Sequence, residues 1–490
     1  MSWNGPLNKI DDYRYEIPKS YRGKNGNLKM KTSAVIFSDE KMIPSVISDD
    51  SPEQTANITT LPGIVGKGMA MPDIHWGYGF PIGGVAAVDR DEGAVSPGGI
   101  GFDINCGIRL VRTNLYYDDI KKDTIKNLVD TMFKNVPSGL GSKSRTKFSK
   151  NELLDILEKG AKAAVDKGYG WEKDPDSLEE NGCLDFADPS KVSDRAIKRG
   201  IPQVGSLGAG NHFLEIQKVA EIFDSDTAKS FGVEREGQIM VMIHTGSRGF
   251  GHQVCSDHLR VLERAVKKYN ISLPDRQLAC APINSDEGQD YLKAMACAAN
   301  FAWANRQLIV HWVRESFENI FDDSSENMDM DIVYDVCHNI GKFEQHLVNG
   351  SKKEVFIHRK GATRSFGPGR KEVPSEYRDI GQPVLIPGDM GTESYLLSGT
   401  KKAEEISFGS TCHGAGRVMS RKKATKKWRG ENIVSELKNR GIYVHPASFK
   451  VAAEEASGAY KDIRRVVEIA HKAGISKKVA RLVPLGVVKG

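Results

Sequence analysis

Apolar positions along the chain fall into short runs and longer stripes, and the two predict different elements. Short runs predict strands at residues 108–114, 239–243, 332–336, 354–358 and 383–386. Stripes predict helices over 118–170, 252–269, 290–321 and 451–478. In the first of these, Ser149 stands three residues before Glu152, a capping box, and Leu153, Leu154, Ile156 and Leu157 begin the apolar face. The segment 290–321 is alanine-rich and apolar around much of its girth, so it is expected to be buried with Trp303 and Trp312 in the core. Residues 1–60 are polar and mixed and end in a loop-like Asp49-Asp50-Ser51-Pro52-Glu53, and 170–200 also read as loop.

Between residues 61 and 110 the texture changes to apolar residues interleaved with glycine and proline. Met71-Pro72-Asp73-Ile74-His75-Trp76-Gly77-Tyr78-Gly79-Phe80-Pro81-Ile82-Gly83-Gly84 breaks any regular helix every few residues, which predicts short strands joined by shaped loops. There is no internal repeat and no linker. Glycine-rich loops recur from residue 71 to residue 416, as one site in one large domain would require.

Composition changes this picture little. The 490 residues suffice for a large core, and 39% hydrophobic with 27% charged residues is ordinary for a soluble protein. The 49 glycines are an excess, clustered where backbone approaches ligands or turns tightly. A net charge of +5 permits a nucleic-acid partner without demanding one. Seven scattered cysteines, with no CxxC pair, suit a reduced compartment. No apolar signal core and no run of transmembrane length is present, so a cytoplasmic, soluble protein is expected, without a membrane partner.

Three histidines, His212, His244 and His338, lie near the ends of apolar runs or in glycine-rich loops, where folds present functional side chains. Asp103 and Cys106 sit three apart on one loop. Thiolate, carboxylate and imidazole together suit a borderline transition ion such as Mn²⁺, Zn²⁺, Fe²⁺ or Co²⁺, and a thiolate can bridge two. His413 precedes Gly414, Ala415, Gly416 and Arg417. Such a stretch suits chemistry on phosphorus: a ring nitrogen is a nucleophile, small residues let backbone N–H groups approach phosphate, and a guanidinium grips it bidentately. Arg248 stands in a similar glycine setting. The run 421–429 has six Lys/Arg, no acid and Trp428; it reads first as a solvated helix face and second as a phosphate-backbone contact. Taken singly, each of these residues also reads as structural.

Taken together, the motifs resemble the RtcB family of RNA ligases, its archaeal members above all. The resemblance covers roughly residues 60–490 and rests on seven stretches in order: Pro72 to Gly84, Ser96 to Gly107, Gly208 to Glu215, His244 to Gly249, Tyr334 to Asn339, His413 to Arg417 and Pro484 to Gly490. Residues 1–60 match less well and receive no role. The resemblance implies a family-specific α+β catalytic domain over 61–490, with short strands and helices around a metal and GTP cleft. It implies joining of RNA 2′,3′-cyclic phosphate or 3′-phosphate ends to 5′-hydroxyl ends, with GTP and two Mn²⁺ ions, through a guanylate on His413. Cys106 would bridge the ions, with Asp103 and His212 completing one and His244 and His338 the other. Asn211, Arg248 and Arg417 would hold phosphate beside Gly414, Ala415 and Gly416. Glu215, Phe213, Ser394, Tyr460 and Lys489 would surround guanine, and Asp73 would orient His413. Expected partners are RNA, tRNA exon halves first, and an archease activator, with a monomeric chain favoured. A dinuclear metal phosphodiesterase or phosphatase, or a non-catalytic RNA-binding protein, are the rival readings; neither accounts for His413 together with the base pocket.

Overall fold

The computed structural model describes residues 2–490. The chain is α+β, with helices packed around two large sheets. A seven-stranded sheet runs in the order Asn8–Asp11, Arg14–Ile17, Ala34–Phe37, Ile64–His75, Ile82–Asp89, Ser351–Lys360, Asn339–Val348. Its first three strands come from the segment that the sequence left without a role, and Ala34–Phe37 pairs in parallel with Ile64–His75. An eight-stranded sheet runs Ile332–Cys337, Gly107–Tyr116, Gln238–Thr245, Phe213–Ile222, Lys477–Lys489, Ser394–Ser398, Pro383–Ile386, with Tyr443–Pro446 paired alongside Lys477–Lys489.

The register of that second sheet explains where function gathers. Gly107 pairs with both Cys337 and Thr245, Phe213 with His244, and Lys489 with Phe213. Antiparallel neighbours therefore start or stop at one edge of the sheet. Cys106, His212, His244, His338 and Lys489, spread over nearly four hundred residues of sequence, arrive together there.

The helix Asp286–Phe321 braces this edge. Ser285 caps it by accepting from the Gly288 N–H, and it ends at Asp322 in the left-handed region, φ 54°. Its buried face includes Trp303 and Trp312, as expected. Asn305 accepts from the backbone N–H groups of Gly205 (2.7 Å) and Ser206 (3.0 Å) and donates to the Gly246 carbonyl (3.1 Å). Arg306 donates to the carbonyls of Asn105 and Thr245, both at 2.9 Å. One helix thus ties down the loops that carry Cys106, His212 and His244. Arg306 and Arg109 share the fully buried Asp335 carboxylate, which compensates charge that would otherwise be costly in the core.

Several expectations change. The stretch 118–170 is three helices, Lys122–Asn135, Lys150–Lys159 and Ala161–Val165, because Pro137, Gly139 and Gly141 break the first gap and Gly160, at φ 59°, the second. The Ser149 capping box forms with both of its hydrogen bonds. Ser51–Asn57 is a helix and not a loop, since Pro52 occupies its first turn, where a missing N–H costs nothing. The 170–200 stretch contains the helix Asp194–Gly200 and three short 3₁₀ turns. The expected helix 451–478 is two, Phe449–Glu454 and Ile463–Ala473. Gly474, at φ 81°, then turns the chain into the thirteen-residue strand Lys477–Lys489. That strand hides in sequence behind its lysines and Pro484, which lies where the pairing register shifts.

Candidate metal and nucleotide site

Cys106 is the hub of a buried donor cluster. Its Sγ lies 3.2 Å from His244 Nε2 and 3.6 Å from His212 Nε2. His212 Nε2 is 3.0 Å from Asp103 Oδ2, and the Nε2 atoms of His244 and His338 are 3.3 Å apart. Two ligand sets result, Cys106 with His244 and His338, and Asp103 with Cys106 and His212; in each, all ligand atoms lie within 4.8 Å of one another. Donors ~2.0–2.3 Å from one ion stand roughly 3.0–3.7 Å apart, so these separations fit two metal positions sharing one sulfur. Backbone geometry builds the loop: Asn105 takes the left-handed φ of 52°, its N–H donates to the Asn339 carbonyl (2.7 Å), and the His338 N–H donates to the Cys106 carbonyl (2.9 Å).

Electrostatics agree with cation binding. Burial, and then the Asp103 charge, push the Cys106 thiol well above its ordinary range, so the thiolate needs a cation to form. Burial pushes His244 and His338 well below theirs, leaving neutral rings with lone pairs to donate. Burial alone would raise the Asp103 carboxyl, but its hydrogen bond with His212 and nearby positive charge outweigh this and hold it low. His212 Nδ1 donates to the Leu207 carbonyl at 3.0 Å, which frees Nε2 as the ligating atom.

A cavity of about 240 Å³ opens beside this cluster, lined by Cys106, His244, His338 and His413, the His338 and His413 rings standing edge to face at 5.1 Å between centroids. His413 Nδ1 donates to Asp73 Oδ2, and the His413 backbone N–H donates to the same oxygen at 3.0 Å. Asp73 is fully buried. Burial alone would raise its carboxyl, yet the His413 ring outweighs this and holds it below its usual range. An ionised partner on Nδ1 fixes the ring's tautomer and leaves Nε2 unprotonated. Gly416, at φ 72°, lets the chain pass so close to the Asp73 carbonyl that a Cβ would collide with it.

Comparison with known proteins decides the family. The model of the family described as tRNA-splicing ligase RtcB matches residues 54–490. The chain belongs to the RtcB family. It is 57% identical to the tRNA-splicing ligase RtcB of Methanococcus maripaludis over 484 residues, 99% of both chains. It is 55% identical to the protein of that name from Thermococcus kodakarensis over 485 residues, again 99% of both. With that of Archaeoglobus fulgidus it shares 56% identity over 490 residues, all of both chains, so the similarity runs through the first sixty residues too. Among the described residues, no helix is long and apolar enough to cross a membrane.

Against that family membership, the remaining residues sort by position. Asn211, Phe213, Gly414, Ala415, Gly416, Arg417, Tyr460 and Lys489 line the His413 cavity. Arg417 does not project as a free anion clamp: it donates to the Met419 carbonyl, the Tyr460 hydroxyl and the Glu454 carbonyl, and pairs with Glu455. Glu215 and Ser394 lie behind the lining, bridged by Gln217, which donates to Glu215 Oε2 (2.8 Å) and Ser394 Oγ (3.1 Å). Glu215 Oε1 is buried without a partner, and burial drives its carboxyl up to about 8. Burial likewise lowers the Lys489 ammonium, whose Nζ stands 5.6 Å from the Phe213 ring centroid. Arg248, 8% exposed, is not among the residues lining the cavity; it packs against Gly208, with Nε donating to Ser206 Oγ at 3.3 Å.

The structure adds residues that the sequence did not single out. His75, Asp389, Arg421 and Glu455 line the same cavity. His75 sits inside a quoted motif, and Asp389 follows Pro387 and Gly388, a turn that signals a shaped loop. Arg421 belongs to the basic run but borders the cavity, with Nε donating to the buried Glu455 at 3.0 Å. A larger cleft, about 640 Å³ and lined by Arg112, Asp331 and Tyr377, holds none of the candidate residues. Chemistry, and not size, marks the smaller cavity.

Proposed function

We propose that the chain is an RNA ligase that uses GTP and Mn²⁺ to join a 2′,3′-cyclic phosphate or 3′-phosphate end to a 5′-hydroxyl end, with tRNA exon halves as substrates. The observation that carries this reading is His413: a buried carboxylate holds its Nδ1, its Nε2 is free, and the Cys106, His244 and His338 donor set shares its cavity. His413 Nε2 attacks the α-phosphorus of GTP; the N–P bond forms and pyrophosphate leaves. A 2′,3′-cyclic end is first opened by water, the P–O2′ bond breaking to leave a 2′-hydroxyl and a 3′-phosphate; the guanylate then passes to the RNA 3′-phosphate, and the 5′-hydroxyl displaces GMP from that activated end. Asp73 stabilises the charge that builds on the His413 ring. Asn211 and the backbone around Gly414 to Gly416 meet phosphate oxygens, with Arg248 serving phosphate from the metal side. Cys106, with Asp103 and His212 on one side and His244 and His338 on the other, would hold two Mn²⁺ ions. Bound there, the ions supply charge neutralisation at phosphate and acidify a nearby hydroxyl.

Glu215 is the guanine reader in this account. Its unpartnered Oε1 can accept from a base that offers N1–H and N2–H₂, which adenine does not. Glu215→Gln is expected to raise the GTP concentration needed for guanylylation about 10–200-fold, the value of roughly 1–3 kcal/mol for a buried polar contact. It should narrow the preference for GTP over ATP as well. An unchanged preference in a nucleotide competition assay would remove Glu215 from the pocket.

The basic helix Arg421–Lys427 serves RNA outside the cavity. Lys422, Lys423, Lys426 and Lys427 are exposed, whereas Arg421 is tied to Glu455. Reversing the four lysines to glutamate should weaken RNA binding and flatten its salt dependence, by about 0.7 in log–log slope for each phosphate no longer neutralised. Guanylylation should persist; its loss would make the helix structural. The function as a whole is tested with defined RNA ends. Joining that requires a 3′-phosphate, a 5′-hydroxyl and GTP supports the ligase reading, while trimmed but unjoined ends would favour a hydrolase.

A further inference from the structure

We propose that His75 is a second catalytic imidazole in the His413 cavity and that its Nε2 accepts the proton of the attacking RNA 5′-hydroxyl. The inference rests on the ligase reading above and extends it to a step with no assigned proton acceptor. In that step the 5′-oxygen bonds to the phosphorus of the activated 3′ end. The bond from that phosphorus to GMP breaks, and GMP leaves with the electron pair. The hydroxyl proton passes to His75 Nε2 and is later given up to water.

The groups lining the cavity leave His75 as the free acceptor. Cys106, His244 and His338 belong to the metal cluster. Glu455 is engaged by Arg417, Arg421 and the Tyr460 hydroxyl. Asp389 accepts from Ser457, from Thr392 and from the Gly391 N–H. Lys489 is a donor set against Glu215, and His413, although its Nε2 is bare again once the guanylate has passed to RNA, sits on the side of the departing GMP, opposite the line of attack on the 3′ phosphorus.

His75 is built for the role by the same residue that holds His413. The Asp73 side chain takes Nδ1 of His413, and the Asp73 backbone carbonyl takes Nδ1 of His75 at 2.9 Å. Both rings therefore carry their proton on Nδ1 and present Nε2 as a lone pair. Among the described residues, no hydrogen bond engages His75 Nε2. The ring's placement is fixed from behind: His75 ends the strand Ile64–His75, pairs with Ile82, and follows Ile74, whose carbonyl accepts from the buried Lys461 ammonium. Burial, with the Lys461 charge adding to it, pushes His75 down to about 4, so the ring is in its accepting form at neutral pH.

The test compares steps within one variant. Full-length His75→Ala and His75→Gln are given labelled GTP, Mn²⁺, a 3′-phosphate RNA and a 5′-hydroxyl RNA. The activated 3′ end should accumulate, with joining slowed about 10²-fold relative to guanylylation in the same variant, the lower end of the worth of a positioned base because a ring held this low is a weak acceptor. A 5′-thiol acceptor RNA, whose thiol with an ordinary pKa of ~8.5 ionises far more readily than a hydroxyl, should depend less on His75 and recover part of the lost joining rate at mildly basic pH. Joining that keeps pace with guanylylation, or a thiol acceptor that performs no better than a hydroxyl one, would overturn the assignment. Should one substitution unfold the chain, the other carries the comparison, checked by thermal unfolding. A wild-type protein that never labels His413 would instead overturn the ligase reading.

Discussion

His413→Ala is expected to abolish RNA joining, with a loss of about 10⁶-fold, the order found when a nucleophile is removed from a group that acts as a unit. The size follows from the arrangement. Nε2 of this ring is the free nitrogen in the cavity whose Nδ1 is held by a buried carboxylate. The His338 ring, 5.1 Å away between centroids, cannot substitute because its Nε2 is turned to His244, and the His75 ring has only a backbone carbonyl, not a carboxylate, on its Nδ1. Folding should survive, because His413 is part-buried and its removal leaves Asp73 still accepting from the backbone N–H of residue 413. RNA binding should be retained, since the exposed lysines lie outside the cavity. Gel-resolved ligation with a thermal unfolding control checks this. Ligation surviving in a folded variant would remove His413 from the chemistry.

Cys106→Ala should be nearly as severe, for a different reason. Both ligand sets need this sulfur, so one substitution damages two metal positions. Mn²⁺ affinity should fall by more than ~100-fold, given that disturbing groups merely hydrogen-bonded to ligands costs roughly 10–100-fold. Guanylylation should fall to background with it. A pH signature accompanies the wild type. The buried thiol is protonated well above its ordinary range without a cation, so metal uptake must release its proton and affinity should rise with pH through the neutral range. Calorimetric Mn²⁺ titration at several pH values reads both effects. Two ions bound at wild-type affinity in Cys106→Ala would refute the shared sulfur.

Much of this site is legible in the sequence because its residues stand at strand ends. The runs 239–243 and 332–336 read as strands, and each stops at a histidine or one residue short of it; sheet register then carries the two imidazoles together. Asp73 and His413 stand 340 positions apart with no local signal to join them, so their contact follows from motif resemblance and not from pattern. What stays hidden depends on side-chain direction. Arg421 looks like its lysine neighbours in sequence, but its guanidinium pairs with the buried Glu455 at the cavity rim while the side chain stays 47% exposed. Arg417 is legible as an arginine among glycines, but not its saturation by three protein acceptors. His75 is inconspicuous beside Trp76 because only the fold reveals that the Asp73 carbonyl orients it. The strand Lys477–Lys489 is masked by the lysines and the proline that its bulged, central position accommodates.

The most direct test of the account is covalent. Wild-type protein incubated with Mn²⁺ and GTP labelled at the α-phosphate, then digested and mapped by mass spectrometry under basic conditions, should carry GMP on His413. The adduct should be acid-labile and base-stable, as a phosphoramidate on histidine is. Label on another residue, or joined RNA formed with no protein-bound guanylate at any time, would contradict it.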